Sequence, residues 1–158
     1  MMKIMIALIF IVFSIYSCKV SPSRSRKNST TVTIRPADDE LIGVYKPDAA
    51  TLENFRRYNI QNNSTFRLTK DGSLEYRQIP ISILDFTEER KNNNTLLNGL
   101  GEWKISDKGY IELELTFTLD ENNTLNTDMV LTKQFDKYII YYYLGDPNKD
   151  SVAVFIQQ

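Results

Sequence analysis

The 158-residue chain has no histidine and a single cysteine, Cys18. Together these absences exclude an intrachain disulfide, a zinc site built from cysteine or histidine, and acid–base catalysis by imidazole. No Gly-x-Ser-x-Gly elbow, Ser-x-x-Lys pair or phosphate loop is present either. Neither sign of charge dominates, with 19 basic against 20 acidic side chains, and no basic stripe offers a footprint for nucleic acid. No apolar run is long enough to span a bilayer as a helix. The longest, Ile4 to Tyr16 interrupted by Ser14, covers about 20 Å at 1.5 Å per residue, against a hydrocarbon core of roughly 30 Å.

That run follows a short basic start, Met1 to Lys3, so residues 1–17 have the layout of a removable export signal. Its end, Ile15-Tyr16-Ser17-Cys18, resembles the bacterial lipoprotein cleavage box: an aliphatic residue and two usually small ones ahead of a lipidated cysteine. Tyr16 is bulkier than that pattern. The resemblance implies that Cys18 becomes the first mature residue and carries acyl chains. At about 0.8 kcal/mol per buried CH₂, several chains anchor a protein that does not itself span the membrane. Lys19 stands where an aspartate would imply retention in the inner membrane, and Val20-Ser21-Pro22 replaces the acidic cluster of surface-exported lipoproteins. The implied location is the periplasmic leaflet of the outer membrane, with the cell surface as the alternative.

Residues 18–40 are poor in apolar side chains and rich in Ser, Thr, Pro and charge. Such a composition buries too little surface to order itself, and residues 18–40 are expected to be a lipidated, flexible tether reaching roughly 25 Å. The domain is expected over 41–158, with 13 basic and 17 acidic side chains from Leu41 onward.

Within it, alternation with period two dominates. Ile111, Leu113, Leu115, Phe117 and Leu119 interleave with Glu112, Glu114, Thr116 and Thr118, the pattern of a strand with one buried and one wet face. Gly101, Trp103 and Ile105 share one face of the preceding strand. Phe66 and Leu68 are followed by Asp71-Gly72 and then Leu74 and Tyr76, a hairpin in which both turn residues are expected at positive φ. Further strands are expected at Leu41 to Tyr45, Leu125 to Lys133, Tyr138 to Leu144 and Ser151 to Gln157. The fold class is therefore all-β: an antiparallel meander of about eight strands in a small closed or nearly closed barrel, the first strand pairing with the last. A two-sheet sandwich is the alternative. Asp48 to Tyr58, with Leu52 and Phe55 at helical spacing, predicts one short helix capped by Asp48. Pro80 to Asn98 is expected to be a long excursion or lid.

The strand Tyr138-Ile139-Ile140-Tyr141-Tyr142-Tyr143-Leu144 is apolar on both faces. One set must point inward and the other outward, where the helix or the 80–98 segment is expected to cover it. Tyr76, Trp103, Tyr141, Tyr142 and Tyr143 are the candidate residues of an aromatic ligand cavity; ordinary core packing is the competing account. Asp146, Asn148 and Asp150 place oxygens at alternate positions like the first half of a calcium loop, but Ser151 and Gln157 stand where glycine and glutamate are needed, and a plain turn explains them. Glu112 and Glu114 share one wet face, not the two walls of a cleft, and are solvated carboxylates rather than a catalytic pair.

Leu41-Ile42-Gly43-Val44-Tyr45, Asp71-Gly72, Ile79-Pro80, Gly101-Glu102-Trp103-Lys104 and Tyr142-Tyr143-Leu144-Gly145-Asp146-Pro147, in that order, resemble a group of small lipoproteins and exported proteins of Bacteroidetes-type bacteria. The early Gly-x-Tyr strand is also similar to that of lipocalin-like and streptavidin-like barrels. The resemblance implies a barrel and no catalytic residues or cofactor. The expected function is a non-enzymatic, membrane-anchored module that binds a small apolar ligand or an envelope partner. The alternative is an immunity or inhibitor protein that recognises a toxin or hydrolase through its acidic outer face.

Overall fold

A computed structural model describes residues 30–84, 93–106, 111–120, 123–143 and 152–158. Eight strands form a closed antiparallel barrel: β2 (Gly43–Pro47), β3 (Thr65–Leu68), β4 (Ser73–Pro80), β5 (Leu96–Ser106), β6 (Glu112–Asp120), β7 (Asn123–Gln134), β8 (Lys137–Tyr143) and β9 (Val152–Gln157). Each strand pairs with the next in sequence, and β2 pairs with β9 through Tyr45 and Gln157, which closes the ring. Closure removes the two open edges that a meander otherwise leaves as templates for aggregation. The all-β barrel expected from the alternation is therefore what forms, and not the sandwich.

The first strand begins two residues later than expected. Leu41 instead ends a short helical turn, α1 (Asp38–Leu41), and is fully buried in the core. Glu40 folds back to accept from the Ala37 N–H at 3.0 Å and also lies 3.6 Å from Lys133 on β7. Farther upstream, β1 (Thr30–Thr31) pairs with Lys133 and Thr132. It occupies the stretch of β7 that lies past the last pairing with β6, Glu112 to Val130. Among the described residues, barrel contacts thus reach back to Thr30, within the segment expected to be tether.

The β3–β4 turn is tight, as Asp71-Gly72 predicts, but only Gly72 takes positive φ (83°). Asp71 instead accepts from Thr69 Oγ1 and the Ser73 N–H, and Gly72 N–H closes on the Thr69 carbonyl. Its side chain stabilises a turn that leaves its own backbone unstrained.

Asp48 caps α2 (Ala49–Asn54), accepting from the Thr51 N–H at 2.7 Å, and a 3₁₀ turn follows at Arg56–Tyr58. The cap also ties the helix to the barrel. Asp48 N–H donates to the Val154 carbonyl, and the Val154 N–H donates to Thr51 Oγ1. After β4, α3 (Ile81–Leu84) buries Ser82, Ile83 and Leu84. The expected excursion over 80–98 is shorter at its far end, because residues 96–98 belong to β5, paired with β4 from Leu96 to Pro80 onward, and residues 85–92 lie outside the described residues. Phe55, Ile83 and Leu84 join the main core, so both helical segments pack against it. On the other face of β8, Ile139 and Tyr141 are only 1% and 6% exposed, and residues 85–92 of the segment expected to cover them lie outside the described residues.

Candidate functional site

Alternation along β8 sorts its tyrosines. Tyr138, Ile140 and Tyr142 enter the main core, whereas Ile139 and Tyr141 join Val152 in a second, outer cluster with Val130, Val154 and Ile156 packed against it. Tyr143 also faces outward and is 42% exposed. Of the five candidate ligand residues, Tyr76, Trp103 and Tyr142 therefore meet the interior, and Tyr141 and Tyr143 do not.

The three that point inward have their polar ends tied to backbone. Tyr76 Oη donates to the Thr118 carbonyl at 2.6 Å, Tyr142 Oη to the Leu84 carbonyl at 2.9 Å, and Trp103 Nε1 to the Thr69 carbonyl at 2.9 Å. Another buried phenol, Tyr45, donates to the Leu41 carbonyl at 2.9 Å. Buried hydroxyls demand a partner, and these three phenols find it in the chain. Among the described residues, aromatic rings pack across the lumen. Phe66 lies 4.6 Å from Phe155 and 6.0 Å from Phe117, and Phe117 meets Tyr76 edge-on at 5.0 Å, so side chains from β9, β3, β6 and β4 touch in one line. Phe66, Phe117 and Phe155 are each 0% exposed. Tyr76 fits because its partner across the pair is Gly99, where a Cβ would collide with the phenol ring.

Burial pushes the Tyr45 phenol far above its ordinary value, with Tyr138 nearby adding to the shift, and burial raises Tyr76 as well. Raised phenols keep their protons in the folded state, whereas the unfolded chain releases them near pH 10. Stability is then fully present below pH 10 and falls as pH rises above it, by about 1.4 kcal/mol per pH unit for Tyr45 and by less for Tyr76. Urea midpoints measured from pH 8 to 11 should fall above pH 10, and Tyr45→Phe should flatten the fall. A midpoint that is level across this range would contradict the burial of these hydroxyls.

A second feature lies on the outside, on the faces of β2, β3 and β4 that alternate away from the core. A groove of about 820 Å³ runs there, lined by Lys46, Thr65, Arg67, Glu75 and Arg77, with amide side chains at its rim. Glu75 Oε2 is 3.8 Å from Arg67 Nε and 3.8 Å from Arg77 Nη2. At the rim, Gln78 occupies a β-bulge with φ 51°. Its N–H and its Nε2 donate to Asn98 Oδ1 at 2.9 and 3.2 Å, and its carbonyl accepts from buried Ser64 at 2.6 Å. Sequence reasoning missed this groove because its residues are the polar half of three alternating strands. The cations at 46, 67 and 77 were the available signal, and they become neighbours only through the sheet register.

Glu114, of the acidic outer pair, is held by Lys104 at 2.7 Å. Among the described residues, no group of three or more Asp, Glu, His or Cys side chains lies close enough to hold a metal ion, and no helix is long and apolar enough to cross a membrane. Cys18, Asp146, Asn148 and Asp150 lie outside the described residues.

No protein-family model, curated protein or solved structure matches the chain. The barrel and its surfaces therefore carry the functional argument alone.

Proposed function

We propose that this protein is a non-enzymatic lipoprotein, held in the outer membrane by acyl chains on Cys18, whose barrel is a solid scaffold for recognition of an envelope partner on its outer surface. The observation that carries the recognition half is the packed lumen. Phe155, Phe66, Phe117 and Tyr76 pack ring to ring, and the polar ends of Tyr76, Tyr142 and Trp103 bond to backbone carbonyls. A pocket for a small ligand needs a few polar groups left to orient its guest, and the inward candidates spend theirs on the chain. Of the two partners expected from the sequence, the envelope partner is favoured over the apolar small molecule.

The anchoring half is supported by the placement of the one cysteine directly after a short apolar run. Cys18→Ser should abolish incorporation of labelled palmitate and move the protein out of the membrane fraction. A variant that stays labelled would refute lipidation at this residue.

A further inference from the structure

The groove over β2, β3 and β4 reverses the charge of the molecule around it. The chain carries a net charge of −1, yet Lys46, Arg67 and Arg77 line the groove against Glu75 alone. Register brings them together. Thr65 pairs with Arg77 on one side, and on the other Lys46 follows directly after the Tyr45 to Phe66 pair. Two strand spacings, about 9.6 Å, separate those cations with a threonine between them. Arg67 lies two residues farther along the same face. Glu75, at 3.8 Å from each guanidinium, is beyond the roughly 2.7–2.9 Å of a charge-assisted hydrogen bond, so it forms no fork-to-fork pair with either arginine.

We propose that this groove binds an acidic saccharide, one bearing carboxylate or phosphate groups, a proposal that rests on the outer-surface reading above. The cations match the acid groups, and arginine forks suit carboxylate and phosphate geometry. Asn62, Gln78 and Asn98 contribute amides, which both donate and accept and so match sugar hydroxyls. Val44 is the one apolar side chain in the described lining. The groove therefore lacks the buried aromatic or aliphatic anchor on which protein partners depend, and an acidic peptide fits it less well. The rim is built in advance. A non-glycine residue at φ 51° is strained and persists where its surroundings over-determine it, as Asn98 and Ser64 do for Gln78. The volume, about 820 Å³, lies within the roughly 300–1,000 Å³ of small-ligand sites.

Calorimetric titration of the full-length protein in detergent micelles tests this with trigalacturonate, glucose 6-phosphate, neutral maltotriose and hexaglutamate. At least one acidic sugar should bind saturably, maltotriose should not, and Arg67→Gln/Arg77→Gln should weaken the acidic sugar at least fivefold with unfolding temperature unchanged. If that double variant does not fold, Lys46→Gln alone carries the test, with at least threefold weakening expected. The proposal is overturned if neither acidic sugar binds, if maltotriose binds equally, if the variants bind like the wild type, or if hexaglutamate binds more tightly. Uptake of an apolar ligand into the lumen would instead overturn the outer-surface reading. A chain that takes up neither refutes the groove assignment alone.

Discussion

Phe66→Ala is expected to cost the barrel about 3–5 kcal/mol, the range for truncating a fully buried aromatic ring. Phe66 is 0% exposed and is in contact with both Phe155 and Phe117, so its loss removes two ring contacts and opens a void between opposite walls. Closed strands cannot collapse into that void without breaking register with both neighbours, which places the cost in the upper part of the range. A domain of this size has only about 5–15 kcal/mol to lose. Urea unfolding followed by circular dichroism should show a much lower midpoint, while Leu100→Ala, at a position 64% exposed, should stay within about 0.5 kcal/mol of wild type. Equal midpoints for the two variants would mean that the lumen is not packed as described.

Gly101→Ala is expected to be nearly as damaging, although it adds a single methyl group. A Cβ at position 101 would overlap the carbonyl oxygen of Thr116, a main-chain atom of the neighbouring strand. No rotamer change relieves that contact, so β5 and β6 must separate where Gly101 pairs with Phe117. Overpacking costs about 1–3 kcal/mol when side chains can yield, and a backbone obstacle places this variant at or above the top of that range. Hydrogen exchange should then show faster exchange of amides along β5 and β6 than along β8 and β9. Uniform protection equal to wild type would show that the two strands do not approach so closely.

Much of this architecture is legible in local pattern. The run from Ile111 to Leu119 gives β6 because each apolar residue falls on the core face, and Asp48 marks the start of α2 because its carboxylate caps the Thr51 N–H. Residues 96–100 hid as a strand because Asn98 and Gly99 break the apolar rhythm, and Gly99 is there to admit the ring of Tyr76 from the next strand. The β1 segment was equally silent. Its short pairing with β7 depends on where β6 stops, a property of the sheet and not of residues 30–31. For the candidate site, alternation puts Tyr142 on the opposite face from Tyr141 and Tyr143, so naming all three as residues of one cavity could hold for only one of the two faces, and Tyr142 alone meets the interior. Alternation carried no information that the inward hydroxyls would end on the carbonyls of Thr118 and Leu84, 42 and 58 positions away. The groove was hidden for the same reason, since a wet face on one strand looks the same whether its neighbours are cationic or neutral.

The central claim is that the lumen is full and recognition lies outside it. Native mass spectrometry of the full-length protein, released from micelles after titration with palmitate and with retinol, tests this most directly. The account predicts no saturable one-to-one adduct with either molecule and no rise in unfolding temperature. A saturable one-to-one adduct that raises the unfolding temperature, and that is lost when Tyr76 or Tyr142 is replaced, would contradict it.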